Sequence, residues 1–198
     1  MLVTRAGRQT DIVVRSLSML ALYPCFQIKS RHRTGKIYLM SANTLANNET
    51  KINLRPVNGD NWRAVAKLKV TEAQREFVAD PCYYLALCCY GGVWQPMAVC
   101  LGERVIGFLM WGVDAADGSC WLGGLLIDQA YQRQGYGRQT VEGAITMLAA
   151  RGYQHFALSY APHNRAKQLY HSLGFNETNE WEGDEVVARL SLTATGAR

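Results

Sequence analysis

At 198 residues, 48% hydrophobic and 19% charged, the chain has the make-up of an ordinary globular protein with one sizeable core, and no run reaches the roughly 18 uninterrupted apolar residues of a helical membrane span. The net charge of +5 is unevenly placed: residues 1–48 hold seven Lys or Arg against one acid, Asp11, while residues 49–198 hold fourteen against fifteen. A nucleic-acid surface would carry its excess on the folded part, so neither nucleic acid nor membrane is expected as a partner.

The chain is therefore divided into a basic N-terminal extension, 1–48, disordered or not native, and a domain, 49–198. Arginines around a short apolar stretch broken by Pro24 also fit a targeting leader, Met40 offers an alternative start, and nucleic-acid binding through the tail stays open. The six cysteines (Cys25, Cys82, Cys88, Cys89, Cys100, Cys120) contain no Cys-x-x-Cys pair, and no histidine is spaced beside them as a metal ligand. Reduced thiols, a cytoplasmic location and no metal are expected.

From Lys51 onward the pattern is regular. "INLRPV" (Ile52 to Val57) alternates like a half-buried strand, and Asp60 or Asn61 would cap a helix over "WRAVAKLKV". "TEAQREFVAD" reads as a second helical segment stopped by Pro81, and "CYYLALCCYGG" as an apolar helix closed by Gly91 and Gly92. "PMAVCLGERVIGFLMWGV" carries the Gly102–Glu103 turn of a hairpin, and "DAADGS" turns the chain into "CWLGGLLI". Three antiparallel strands in a meander follow.

Next comes "YQRQGYGR" (Tyr131 to Arg138), ahead of "QTVEGAITMLAARG", whose Val141, Ala144, Ile145, Leu148 and Ala149 share one helical face. Glycines at a helix N-terminus expose unpaired amides to an anion, and Arg133 and Arg138 add charge. A Walker A loop would need Gly-Lys-Ser/Thr, and a dinucleotide fingerprint would need glycine where Thr140 stands. Taken alone, Gly135 and Gly137 serve a plain turn equally well. A strand, "FALSY" (Phe156 to Tyr160), then leads into "APHNRAKQLYHSLGF", a short helix and its exit.

Q-x-x-G-x-G at Gln132, Gly135 and Gly137, followed by N-x-A-x-x-x-Y-x-x-x-G-F from Asn164, resembles the two acetyl-coenzyme-A motifs of the GNAT N-acetyltransferases. The resemblance spans about Ile52 to Leu192 and is strongest to bacterial spermine/spermidine (diamine) N-acetyltransferases. It implies an α/β domain with a mixed, mostly antiparallel central sheet flanked by helices, splitting after the fourth strand. Acetyl-coenzyme A is the implied cosubstrate, a polyamine the implied acceptor, and a homodimer the implied assembly. Other amines remain open as acceptors: an amino sugar, an antibiotic or a peptide N-terminus. A non-catalytic sensor of acetyl-coenzyme A or polyamine is the rival of another class. One departure is Gly124, where many such relatives carry an arginine.

Carried over residue by residue, the resemblance makes Leu126 and Ile127 main-chain partners of the pantetheine and thioester. It gives the pyrophosphate to Gln132, Arg133, Gln134, Gly135, Tyr136, Gly137 and Arg138, and the coenzyme arm to Asn164 and Lys167. Tyr170 falls near the sulfur, where a phenol of pKa about 10 can donate to a departing thiolate of about 8.5, or else simply packs. A primary amine of pKa about 10.4 is free in only about one molecule in two thousand at pH 7, so a proton must be removed. Glu72, Glu76, Asp114, Asp117 and the acidic "ETNEWEGDE" are candidates for that task or for meeting a polyamine, with ordered water as the alternative. Trp94, Trp111 and Trp121 either line an alkyl-amine channel or pack strands; His163 and His171 receive no role.

Overall fold

A computed structural model describes residues 51–192, and the expected extension over 1–48 lies outside the described residues. Strand β1 (Ile52–Pro56) is followed by a single helical turn, α1 (Trp62–Val65), a 3-10 turn (Glu72–Gln74) and helix α2 (Pro81–Tyr90). The meander β2 (Gln95–Leu101), β3 (Arg104–Val113) and β4 (Cys120–Ile127) leads through a 3-10 turn (Gln129–Tyr131) into the long helix α3 (Tyr136–Ala149). Strand β5 (His155–Tyr160), helix α4 (Lys167–Ser172) and a final hairpin, β6 (Asn176–Glu182) with β7 (Glu185–Ser191), complete the chain.

The strands form one seven-stranded sheet in the order β1-β2-β3-β4-β5-β7-β6. Every pairing is antiparallel except that of β4 with β5. Central β3 is buried on both faces, as its apolar "VIGFLMW" requires. One face packs against α3 through Leu109, Leu122, Val141, Ala144, Leu148 and Phe156; the other packs through Val65, Phe108, Met110 and Trp121 with Tyr84 and Leu85 of α2. In α3, Val141, Ala144 and Leu148 are buried on the face that the helical period predicts.

Two expected helices are not built. Only Trp62–Val65 of "WRAVAKLKV" is helical, and Asn61 gives no side-chain cap; its Nδ2 donates to the Pro56 carbonyl instead. "TEAQREFVAD" is helical only over Glu72–Gln74, where Gln74 Oε1 accepts from the Thr71 N–H at 3.1 Å as in a capping box and from Gln132 across the fold at 2.9 Å. Pro81 does not stop a helix there but opens α2, behind the cap of Asp80, whose ψ of 138° is the extended geometry that a following proline imposes.

Candidate active site

Strands β4 and β5 pair only at Cys120 with Phe156 and Trp121 with Ala157, and beyond these they part. The splayed ends enclose a cleft of about 750 Å³, walled by Leu122 to Ile127 on one side and Leu158 to Ala161 on the other. A bulge helps to open it: the β3–β4 register shifts between Phe108 and Met110, and Gly124 stands in β4 at φ +58°, a left-handed geometry suited to glycine. A Cβ on Gly124 would lie 3.3 Å from both Phe108 and Tyr84. The Tyr84 ring, stacked on Phe108 with centroids 6.0 Å apart, thus fills the space beside Gly124. Tyr84 Oη accepts from the Ala79 N–H at 3.0 Å, and burial raises its pKa.

The loop after β4 is braced before it reaches α3. Asp128 accepts from the Ala130 and Lys69 N–H groups at 3.0 and 2.9 Å. Gln132 Nε2 donates to the Ile127 carbonyl at 2.8 Å and to Gln74 Oε1 at 2.9 Å, so its amide clamps the loop to the strand end. Arg133, at φ +63°, is the one non-glycine residue with positive φ among the described residues, and Gly135 follows at φ +84° as the N-cap of α3. Such a conformation costs a side-chain-bearing residue on the order of 1 kcal/mol and marks a loop whose shape is imposed by its surroundings. The first backbone bond closing α3 runs from the Gln139 N–H to the Gly135 carbonyl, so the amides of Tyr136, Gly137 and Arg138 precede the intrahelical ladder.

Among the expected pyrophosphate residues, Gln132, Arg133 and Gly137 line the cleft, as do Leu126 and Ile127. The side chains of Gln134, Tyr136 and Arg138 turn elsewhere. Gln134 points to the Ala130 carbonyl, Tyr136 is buried with Val99, Ile106 and Ile127, and Arg138 is tied to Glu142 and the Ser172 hydroxyl. Gly135 and Lys167 do not line the cleft.

Across the cleft stands Tyr170, on α4, stacked on Tyr160 at 5.4 Å and edge-on to Phe175 at 6.3 Å. Burial, aided by the nearby charge of Glu185, holds its phenol well above the ordinary value, so it is protonated at neutral pH. Behind it, Tyr160 Oη donates to Glu177 Oε1 at 3.1 Å and lies 3.0 Å from His171 Nε2. Asn164 also lines the cleft, its Oδ1 accepting from the Ala166 N–H at 2.9 Å to shape the entry to α4.

The residues expected to meet the acceptor divide. Glu76 lines the cleft. Glu72 does not: it lies on the exposed turn, paired with Arg75 at 3.2 Å. Asp114 caps its own loop by accepting from the Ala116 N–H at 2.8 Å, and Asp117 is held by Ser119 and Arg189. Trp111 lies on the α3 side of the sheet, near Tyr153 and beneath Arg151, while Trp94 and Trp121 are both core and cleft wall. Of the acidic stretch, Asp184 and Glu185 line the cleft, whereas Tyr84 and Ser159 are cleft residues that composition and spacing did not single out. Tyr84 sits in an apolar helix with nothing to distinguish it from its neighbours.

The sequence matches the Acetyltransferase (GNAT) family over residues 62–175, more than half of the chain. No curated protein sequence matches it. Solved structures share its fold at low identity. The Escherichia coli ribosomal-protein-S18-alanine N-acetyltransferase is 22% identical with a TM-score of 0.56, covering 73% of this chain and 96% of that one. The RimL ribosomal L7/L12 alpha-N-protein acetyltransferase in complex with coenzyme A is 16% identical with a TM-score of 0.59, covering 72% and 95%. The PaiA N-acetyltransferase of Thermoplasma acidophilum in complex with coenzyme A is 13% identical with a TM-score of 0.53, covering 72% and 99%.

Proposed function

Because the chain belongs to the acetyltransferase (GNAT) family, whose members use acetyl-coenzyme A, we propose that it acetylates a primary amine of a small, positively charged molecule, a polyamine first among these. The observation that carries this reading is the cleft between β4 and β5, which has the unpaired amides at the start of α3 near one end and the protonated Tyr170 in its wall. The residues present fit a phosphate there. Gly137 has no Cβ, and the carboxylate of Asp128 is taken up by two backbone N–H groups. Among the described residues no group of His, Cys, Asp and Glu is arranged to hold a metal.

When bound, acetyl-coenzyme A supplies the activated acetyl group. The amides of Tyr136, Gly137 and Arg138 would hold its phosphates, with Arg133 adding charge and Gly135 setting the turn. Gln134 and Arg138 would act through the backbone and the shape of the loop, given where their side chains are tied. Leu126 would meet the pantetheine through its main chain; the Ile127 carbonyl is already held by Gln132. Asn164 and Lys167 would flank the arm. Tyr170 would give its proton to the departing sulfur.

Glu76, Asp184 and Glu185 in the cleft wall support a cationic acceptor, and Tyr83, Tyr84, Trp94 and Trp121 support its alkyl part. A second reading, acetylation of a peptide amino terminus, is favoured by the two structural neighbours named for acetylating ribosomal proteins. Free-thiol release across spermidine, spermine, aminoglycosides and short peptides separates the two. Turnover confined to peptides removes the polyamine reading, and no heat on mixing the protein with acetyl-coenzyme A removes both.

A further inference from the structure

The β6–β7 hairpin brings an acid into the cleft for which coenzyme binding has no use. Glu185 opens β7 and is half-buried in the cleft wall. Ser159 Oγ, on the adjacent strand β5, donates to its Oε2 at 2.6 Å. Among the described residues no Lys, Arg or His forms an ion pair with it. Tyr84 from α2 and Tyr170 from α4 line the same cleft, and both phenols respond to its charge. The remaining charged neighbours, Glu182 and Asp184, are of the same sign and belong to its own hairpin; Arg75, Glu76, Arg133 and His163 also line the cleft, and none of the three bases forms an ion pair with Glu185.

A carboxylate drawn partly out of water without a counter-ion is costly unless a ligand completes it. A cation answers that cost best, and among the described residues the side-chain donor on the carboxylate is one hydroxyl, on Oε2, which leaves Oε1 for that cation. Burial raises its pKa, aided by the like charges of Asp184 and Glu182 and opposed by the Ser159 hydrogen bond, the direction that suits a proton acceptor.

We propose that Glu185 is the acceptor-site carboxylate, pairing with the substrate's ammonium group in the cleft and taking its proton before attack. The proposal rests on the acetyltransferase reading above. The ammonium gives one proton to Glu185 and regains its lone pair; the N–C bond forms as the thioester C–S bond breaks. The sulfur takes the phenolic proton of Tyr170, the second nitrogen proton returns to that phenolate, and Glu185 releases its own to water. Amide, thiol and one proton result.

The test compares wild type with Glu185→Gln and Glu185→Asp, using whichever amine of the spermidine, spermine, 1,4-diaminobutane and tripeptide panel wild type acetylates fastest. For Glu185→Gln, kcat/KM at pH 7 should fall at least about 100-fold and the acid limb of its pH profile should vanish. Glu185→Asp should keep the limb with partial activity. Acetyl-coenzyme-A binding by calorimetry should be unchanged in both, and Glu185→Gln, relieved of a buried charge, should melt no lower than wild type at pH 7. A Glu185→Gln enzyme within about threefold of wild type with its acid limb intact overturns the proposal, as does a loss of coenzyme affinity that accounts for the whole defect. Wild type that binds no acetyl-coenzyme A sinks the acetyltransferase reading instead, so the two failures are distinguishable.

Discussion

Tyr170 owes its usefulness to where its ring is held. Stacking on Tyr160 and edge contact with Phe175 fix the ring, while burial keeps the phenol protonated well past neutrality. Tyr170→Phe retains the packing and removes only the proton, so kcat should fall about ten- to a thousandfold while calorimetry shows little change in acetyl-coenzyme-A affinity. Equal turnover in the variant would reduce Tyr170 to a packing residue. Gly137 offers the converse case. A Cβ there would meet only Leu169 Cδ2, at 3.7 Å, and the φ of Gly137 is not positive, so Gly137→Val should fold about as stably as wild type. Its methyl groups would nonetheless crowd the approach to the first-turn amides. Acetyl-coenzyme-A affinity should therefore weaken at least about tenfold with the melting temperature nearly unchanged; undiminished affinity would mean that the phosphate sits elsewhere.

At the scale of elements, α2 shows how a start signal outranks a hydrophobic pattern. Its sequence is apolar almost throughout, so no amphipathic stripe sets its limits; Asp80 and Pro81 do, with Asp80 Oδ1 accepting from the Cys82 N–H at 2.8 Å. Asp80→Ala should cost about 1 kcal/mol in urea unfolding, and because α2 carries Tyr84 over Gly124, turnover should suffer along with stability. The strands of the meander, α3 and the α4 region were legible because each obeys a local rule: alternation, a 3.6-residue stripe, or glycine at a turn. The helix expected over Thr71–Asp80 is only a turn, and its Gln74 is engaged across the fold by Gln132, 58 positions away in sequence, a contact that no local pattern announces. Strand β6, "NETNEWE", is an exposed, acidic edge strand with no apolar face to betray it. It draws its order from β7, whose "VVAR" is the buried partner.

For the whole molecule, the cleft depends on two strands that touch and then part, a property of topology that no single stretch of sequence encodes. The motif residues of the coenzyme side were readable because they sit together in two short runs. The acceptor side was legible only in its acids, Glu76 and the stretch ending on Glu185; Tyr84 and Ser159 come from α2 and β5 and join them only in the folded sheet. The hairpin that brings Glu185 there is fastened to the turn before β4 by Arg189, which donates to Asp117 Oδ2 at 2.9 Å and to Glu180 Oε2 at 2.6 Å. Asp117 also accepts from the Ser119 hydroxyl and N–H, and these bonds, with Arg189, lower its pKa. A carboxylate held lower in the folded than in the unfolded chain stabilises the fold above its unfolded pKa, near 3.9, and that stabilisation disappears as pH falls through the lower folded value. Asp117→Asn should therefore be less stable than wild type at pH 7, by no more than about 1 kcal/mol because the Asp117 side chain is 42% exposed. The gap should close as pH falls below about 4. Urea unfolding across that range reads it directly, and a gap that stays constant down to pH 2 would show that the staple acts through shape rather than charge.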